Sequence, residues 1–316
     1  MKIAIHYFSG CGNTAWVVKK AKEELSAQGN EIVLIQNIEQ AWPTVMPASD
    51  LDLFLSPTYF FGLPVNMISY FKRLPMVANR PCLFWSVNGG ASGASFFMAR
   101  MLLKDKGYVV TRQASIEMPD TFLFLTQSQM TKDQRRQVLD NAIAQVKSAA
   151  NDVANLQPES KESLFKLAFF GVVFLMFYAV FRFTTGLCMG ANSRCGHCGK
   201  CAENCPSHAI AFGADKKPHW RMGCSGCFRC LNNCPAKAID FSMWAVVFGL
   251  VGAIGGLSII GSVFGFLGII SKVIGLFAGW LAGCYVFQCV SSMFNADKML
   301  MLVDKKRVTF SSDENA

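Results

Sequence analysis

Two short cysteine runs constrain this 316-residue chain more than any other feature. Cys195-Gly-His-Cys198-Gly-Lys-Cys201-Ala-Glu-Asn-Cys205-Pro206 is followed by Cys224-Ser-Gly-Cys227-Phe-Arg-Cys230-Leu-Asn-Asn-Cys234-Pro235. Each cysteine recurs 29 positions later, as does the trailing isoleucine, Ile210 to Ile239, so the two runs are one repeat. Met1-Lys2 leads straight into the strand-like Ile3-Ala4-Ile5-His6-Tyr7-Phe8, which leaves no room for a signal peptide and points to a reducing compartment. Thiols there are seldom paired, and eight of the thirteen cysteines fall in the two runs, so metal ligation outranks a disulfide framework.

A CxxCxxC loop turns its thiolates inward around an iron-sulfur cubane, and a proline after the fourth cysteine redirects the chain toward a neighbouring cluster. Residues 191–241 thereby resemble the bacterial two-cluster ferredoxins. In that family the fourth cysteine crosses over. The resemblance implies Cys195, Cys198, Cys201 and Cys234 on one 4Fe-4S cluster, and Cys224, Cys227, Cys230 and Cys205 on the other. Structural zinc is the alternative, but zinc sites typically pair two CxxC units and rarely carry a third cysteine and a Cys-Pro. His197 and His208 read as surface residues, since eight cysteines fill all eight positions. Cys82, Cys188, Cys284 and Cys289 receive no role and read as small buried or membrane-facing residues. Ile210 and Ile239 read as packing that also controls solvent access to the clusters.

From Met1 to about Asn155, short β-rich runs alternate with helical stretches, the pattern of an open parallel sheet covered on both faces. The predicted strands are 2–8, 31–36, 51–56, 81–87 and 108–116, with helices near 13–27, 65–74, 93–106 and 131–154. The first strand ends in Ser9-Gly10-Cys11-Gly12-Asn13-Thr14, where N–H groups and hydroxyls at a helix N-terminus can cradle a phosphate. GxGxxG and the P-loop lysine are both missing, which leaves a terminal monophosphate such as that of FMN as the best fit. Two more loops follow strands three and four: Pro57-Thr58-Tyr59-Phe60-Phe61-Gly62, with aromatic faces, and Ser86-Val87-Asn88-Gly89-Gly90, with backbone donors. Both lie where a doubly wound sheet places its ligand. With its phosphate, aromatic and glycine loops in that order, the segment resembles a flavodoxin, and the resemblance implies FMN bound by Ser9 to Thr14, Thr58, Tyr59, Phe60, Gly62, Asn88, Gly89 and Gly90. Cys11 stands where flavodoxins commonly carry threonine. A sheet domain without cofactor, with Tyr59 and Phe61 as plain core aromatics, is the alternative. Met118-Pro119-Asp120-Thr121-Phe122 reads as a lid-like loop near the flavin or a surface crossover.

At 52% hydrophobic and 16% charged residues, the chain is too apolar for two soluble domains alone. The excess lies in two blocks, Leu164–Phe183 and Phe241–Phe294. The second is about twice one span, with Ser271-Lys272 as a candidate polar turn of a transmembrane hairpin. Gly275, Gly279 and Gly283, Gly252 with Gly256, and Gly261 with Gly265 recur at four-residue intervals, which lets two helix backbones approach closely. The first block is short for a span and is expected either to span or to lie in the interface; an interfacial or re-entrant helix leaves every polar part cytoplasmic, and labelling of Lys147 and Lys216 from opposite sides of sealed vesicles tests this. The net charge of +9 is uneven: residues 1–163 carry 16 basic and 14 acidic side chains, and 164–316 carry 14 and 7. The surplus beside the apolar blocks suits a cytoplasmic-membrane protein touching anionic lipid, and no basic aromatic groove suggests nucleic acid.

The expected organisation is thus a flavodoxin-like domain (1–155), a hydrophobic helix (163–183), a ferredoxin-like module of α+β type (186–241), a transmembrane hairpin (242–294) and a basic tail (295–316) with Lys305-Lys306-Arg307. Flavodoxin-like then ferredoxin-like in one chain resembles the flavodoxin-ferredoxin fusion proteins. That order implies membrane-attached passage of single electrons through two 4Fe-4S clusters, coupled to FMN, between unknown redox partners. A flavin-dependent reductase of a quinone or small substrate, and a redox-sensing scaffold with an empty first domain, are the alternatives. No catalytic acid or base is expected.

Overall fold

The computed structural model describes residues 1–40, 42, 45–121, 130–154, 178–213, 216–263 and 269–293. Between Tyr178 and Ala179 the chain divides into two compact units. Most of the Leu164–Phe183 block, Phe122, Gly265 and the tail from Asp297 lie outside the described residues.

In the first unit β1 (Lys2–Tyr7), β2 (Glu31–Asn37), β3 (Leu51–Pro57), β4 (Arg80–Asn88) and β5 (Tyr108–Glu117) form one parallel sheet in the order β2-β1-β3-β4-β5. The connecting helices are α1 (Asn13–Ala27), α2 (Val65–Arg73), α3 (Ser95–Lys104) and α4 (Lys132–Asn151). These bounds agree with the sequence expectation to within three residues. Period-two alternation divides the strands between two cores. Ile3, Ile5, Leu53, Leu55, Leu83 and Trp85 face α1 and α4, while Phe54 and Phe84 face α2 and α3. Strand order reverses between β1 and β3, so a crevice is expected at their carboxyl ends, where the three glycine-bearing and aromatic loops emerge.

The amino end of the sheet buries an ion pair, Arg80 Nη2 to Asp52 Oδ1 at 3.0 Å, with Asp52 wholly enclosed. On the same sheet His6 is wholly buried, stacks on Phe54 at 5.1 Å and meets the Tyr70 hydroxyl at 2.7 Å through Nδ1. Burial, with Arg80 adding to it, pushes its pKa down to about 3. A depressed folded-state pKa means that, as pH falls below about 6.5, the unfolded chain takes up a proton that the folded chain refuses. The stability His6 contributes is therefore complete above that pH and lost toward pH 3, amounting to about 2 kcal/mol at pH 5. Burial shifts the Asp52 carboxyl upward, which works in the opposite direction, so the His6 contribution is read by difference. His6→Gln should flatten the fall in stability between pH 7 and 5, as followed by denaturant melts at each pH.

The second unit repeats itself as the sequence does. The first copy runs β6 (Met189–Ala191), α5 (Lys200–Glu203), β7 (Ile210–Phe212); the second runs β8 (Pro218–Trp220), α6 (Arg229–Asn232), β9 (Ile239–Phe241). The strands pair antiparallel across the copies, β6 with β9 and β7 with β8. Left-handed backbone recurs at equivalent places, His197 with Gly226, Gly199 with Phe228, and His208 with Lys237. The two cysteine loops therefore have matching bends, held even where a bulky Phe228 must take φ 56°.

Helices α7 (Met243–Val263) and α8 (Ile269–Met293) follow in the same unit. Their glycine rows face each other: a Cβ on Gly252 would strike the Gly279 carbonyl, and one on Gly256 would strike that of Gly275. Ser271 and Lys272 are not the turn expected between the helices. They lie inside α8. A serine and a lysine cost a helix only fractions of a kcal/mol each and do not terminate it; Ser271 is in fact 1% exposed. Among the described residues one segment, Ser271–Cys289, is long and apolar enough to cross a membrane, and the apolar part of α7, Trp244–Ile260, is shorter.

Candidate functional site

In the first unit the three loops meet at the carboxyl edge of the sheet. Gly12, at φ 104°, turns the chain into α1. The backbone N–H of Ala15 donates to Ser9 Oγ at 3.1 Å, bending the loop over the helix N-terminus. Asn13 Nδ2 donates to the Pro119 carbonyl at 2.7 Å, and the Met118 N–H donates to the Asn88 carbonyl at 2.8 Å, so the 118–121 segment joins the first loop to the third. Gly89 lies against Asp120, where a Cβ would come within 3.1 Å. Gly90 is at φ 137° with open space beside it.

The aromatic loop is a two-residue turn. Tyr59 and Gly62 exchange backbone hydrogen bonds at 2.9 and 3.0 Å, with Phe60 at φ 50° and Phe61 at φ 63° between them. Both central residues are left-handed, a geometry that normally selects asparagine or glycine. Holding two phenylalanines there costs on the order of 1–3 kcal/mol each, and such strain collects at ligand sites. Phe61 is 40% exposed, whereas Tyr59 packs edge-on against Phe8 at 6.4 Å. Of the anticipated aromatics, Tyr59 thus serves the core and Phe61 presents its ring to solvent.

Thr58 reaches the site edge, but its hydroxyl is committed to Ser86 at 2.7 Å and Ser95 at 2.9 Å. Asn88 likewise ties the third loop together: Oδ1 accepts from the Gly90 N–H at 3.0 Å, and Nδ2 donates to Ser92 at 3.1 Å and Ser115 at 2.8 Å. This hydroxyl-amide network was not anticipated, because Thr58, the stretch from Ser86 to Ser95 and Ser115 are well separated in sequence. Tyr178 was also missed. Its hydroxyl donates to the Leu63 carbonyl at 2.7 Å and its ring covers Gly62, more than a hundred positions away in sequence.

Whether the first loop suits a phosphate can be tested on its own polar atoms. Thr14 is 1% exposed, yet its Oγ1 lacks a hydrogen-bond partner among the described residues, as does Asn13 Oδ1. An orphaned hydroxyl at a helix N-terminus, with no acidic residue in the first turn, fits an anion such as a phosphate. Thr14→Val should leave the stability of the unliganded unit within about 0.5 kcal/mol, since no bond is broken. It should weaken binding of added FMN by on the order of tenfold or more, the cost of losing a bond to a charged group, measured by flavin fluorescence titration.

In the second unit the eight cysteines of the repeat sort into two fours. A hollow is lined by Cys195, Cys198, Cys201 and Cys234, with Phe212 and Ile239. A second is lined by Cys205, Cys224, Cys227 and Cys230, with Ile210 and Trp220. Cys230 lines both and stands in the wall between them. His197 and His208 are exposed. Backbone N–H groups donate to sulfur at equivalent places, Ala209 to Cys205 at 3.4 Å and Ala238 to Cys234 at 3.3 Å. Gly226 donates to Cys224 at 3.4 Å, and the Trp220 indole N–H donates to Cys230 at 3.4 Å. Burial pushes the Cys224 thiol up to about 12 and shifts Cys201, Cys227 and Cys230 upward as well. Thiols so placed keep their protons unless a strongly cationic centre takes them as thiolates.

Among the described residues no group of three or more His, Cys, Asp or Glu side chains stands close enough together to hold a metal ion.

No protein-family model matches this chain, and no curated protein matches it. Among solved structures it is similar to a flavodoxin from Streptococcus pneumoniae at 12% identity, over 49% of this chain and 98% of that one, with a TM-score of 0.37. Flavodoxin 1 from Bacillus cereus gives 15%, 46%, 97% and 0.33, and flavodoxin 2 from the same organism 20%, 47%, 99% and 0.33. The sheet order of the first unit carries its own assignment, because β2-β1-β3-β4-β5 with helices on both faces is the flavodoxin-like winding. The first unit has a flavodoxin-like fold.

Proposed function

We propose that this chain is a membrane-attached electron-transfer protein, with two 4Fe-4S clusters in the second unit and FMN in the flavodoxin-like one. The observation that carries this reading is the crossed grouping of the eight cysteines, in which each CxxCxxC run shares its hollow with the Cys-Pro cysteine of the other. When bound, the clusters exchange one electron at a time and the flavin one or two, which joins single-electron carriers to a two-electron donor or acceptor.

The chain's own residues supply position and environment. Cys195, Cys198, Cys201 and Cys234 hold one cluster, and Cys205, Cys224, Cys227 and Cys230 the other. Ala209, Gly226 and Ala238 direct N–H groups at the sulfurs, and Ile210 and Ile239 exclude water. Arg182 donates to the carbonyls of Met222 at 3.1 Å and Cys224 at 3.4 Å, which sets a positive charge beside the second four. Ser9, Gly12, Asn13 and Thr14 receive the flavin phosphate, Asn88 shapes the glycine loop through Gly90, and Phe61 offers the ring an aromatic face.

Attachment to the cytoplasmic membrane is supported by the outer surface of the helix pair. Val251, Ile254 and Ile259 on α7 and Tyr285 on α8 are each more than 60% exposed, an apolar surface that suits lipid better than water.

Anaerobic extraction in mild detergent, followed by assay of iron, sulfide and FMN and by EPR before and after dithionite, tests the reading. About eight irons per chain with sulfide and FMN are expected. Clusters without flavin would reduce the first unit to a docking domain, and zinc without sulfide would overturn the proposal.

A further inference from the structure

The two copies of the repeat differ at one place that matters to the sulfurs. Trp220, the last residue of β8, has Ala191 as its counterpart at the end of β6. Trp220 is 2% exposed and directs its indole N–H at Cys230 Sγ. Its own carbonyl accepts from Gln288 Nε2 at 3.2 Å, a polar side chain carried by the largely apolar α8. A glutamine on such a helix is costly without a partner, so this bond holds Gln288 and Trp220 in register. Phe181 with Trp280 at 6.5 Å and Phe183 with Phe277 at 6.3 Å pack the same helix against the start of the unit.

Resting on the cluster assignment proposed above, we infer that Trp220 tunes the reduction potential of the cluster held by Cys205, Cys224, Cys227 and Cys230, and that Gln288 acts as its positioning residue from the hairpin. An N–H donor to a ligating sulfur stabilises the reduced cluster, which carries one more negative charge, and so raises its potential. Ala191 has no such donor, so the Cys195, Cys198, Cys201 and Cys234 cluster is set without it. The two clusters of a symmetric repeat are thus tuned differently, and the one with the indole donor is tied through Gln288 to the helix most suited to a membrane.

The test is a potentiometric EPR titration of the full chain in detergent, with iron and sulfide counted for each variant. Trp220→Phe keeps the ring and deletes the donor. It should lower one midpoint by up to tenfold in that cluster's reduction equilibrium, about 59 mV for one electron, and leave the other unmoved. Gln288→Leu should lower the same midpoint by less, and the double variant should match Trp220→Phe alone. Both midpoints unmoved at full iron content, or both moved equally, would overturn the inference while leaving the electron-transfer reading intact. Should Trp220→Phe lose iron, Gln288→Leu decides by itself, and an unmoved midpoint there overturns the inference. A wild-type protein without iron and sulfide removes both readings at once.

Discussion

Cys205→Ala should leave the chain with about half of its iron, roughly four atoms of eight, and the cluster lost should be that of the other cysteine run. Cys205 is adjacent in sequence to Cys195, Cys198 and Cys201 but lines the hollow of Cys224, Cys227 and Cys230. Its EPR spectrum after reduction should therefore match that of Cys224→Ala, while Cys234→Ala should match Cys195→Ala. Were Cys205→Ala to pair with Cys195→Ala, each run would be holding its own cluster and the crossed assignment would be wrong. The effect is large because no other cysteine lines that hollow, and a thiolate ligand has no neutral substitute at alanine.

The second large effect concerns the helix pair. Gly279→Leu should cost about 3 kcal/mol or more, at or above the top of the overpacking range, because the added atoms would meet backbone rather than a side chain that can turn aside. A Cβ at Gly279 strikes the Gly252 carbonyl and comes within 3.0 Å of the Gly256 Cα. Gly255 stands one residue from this seam with nothing within 4 Å of a Cβ, so Gly255→Leu should be neutral or gain slightly from helix propensity. Thermal stability of the two variants in detergent, followed by loss of monodisperse protein, separates them. Equal tolerance of both substitutions would mean that the close glycine contact does not hold the pair together.

Much of this was legible in order along the chain. Short β-rich runs split by helical stretches announced the parallel sheet, because parallel strands need crossover helices that cover both faces. The cysteine repeat carried its bends with it: a residue or glycine forced into left-handed backbone at 197, 199 and 208 reappears 29 positions on. The glycine rows of α7 and α8 were readable for the same reason, since a missing side chain at every fourth position is a local fact.

Contacts between distant segments were not readable in this way. Ser86, Ser92, Ser95 and Ser115 look like ordinary small polar residues until the sheet brings them around Thr58 and Asn88. Tyr178 on Gly62, and Gln288 on the Trp220 that bonds Cys230, join positions whose separation in sequence carries no trace of their meeting. Ser271-Lys272 went the other way, a local polar pair whose turn-like look yields to helix once neighbouring turns and packing fix the backbone. Sequence alone determined the elements, the repeat and the donor chemistry, because these depend on residue type and spacing over one or two turns of chain. Tertiary structure decided which donors share a hollow, which hydroxyl stays unsatisfied and which cysteine receives an indole, because those follow from burial and closest approach in three dimensions.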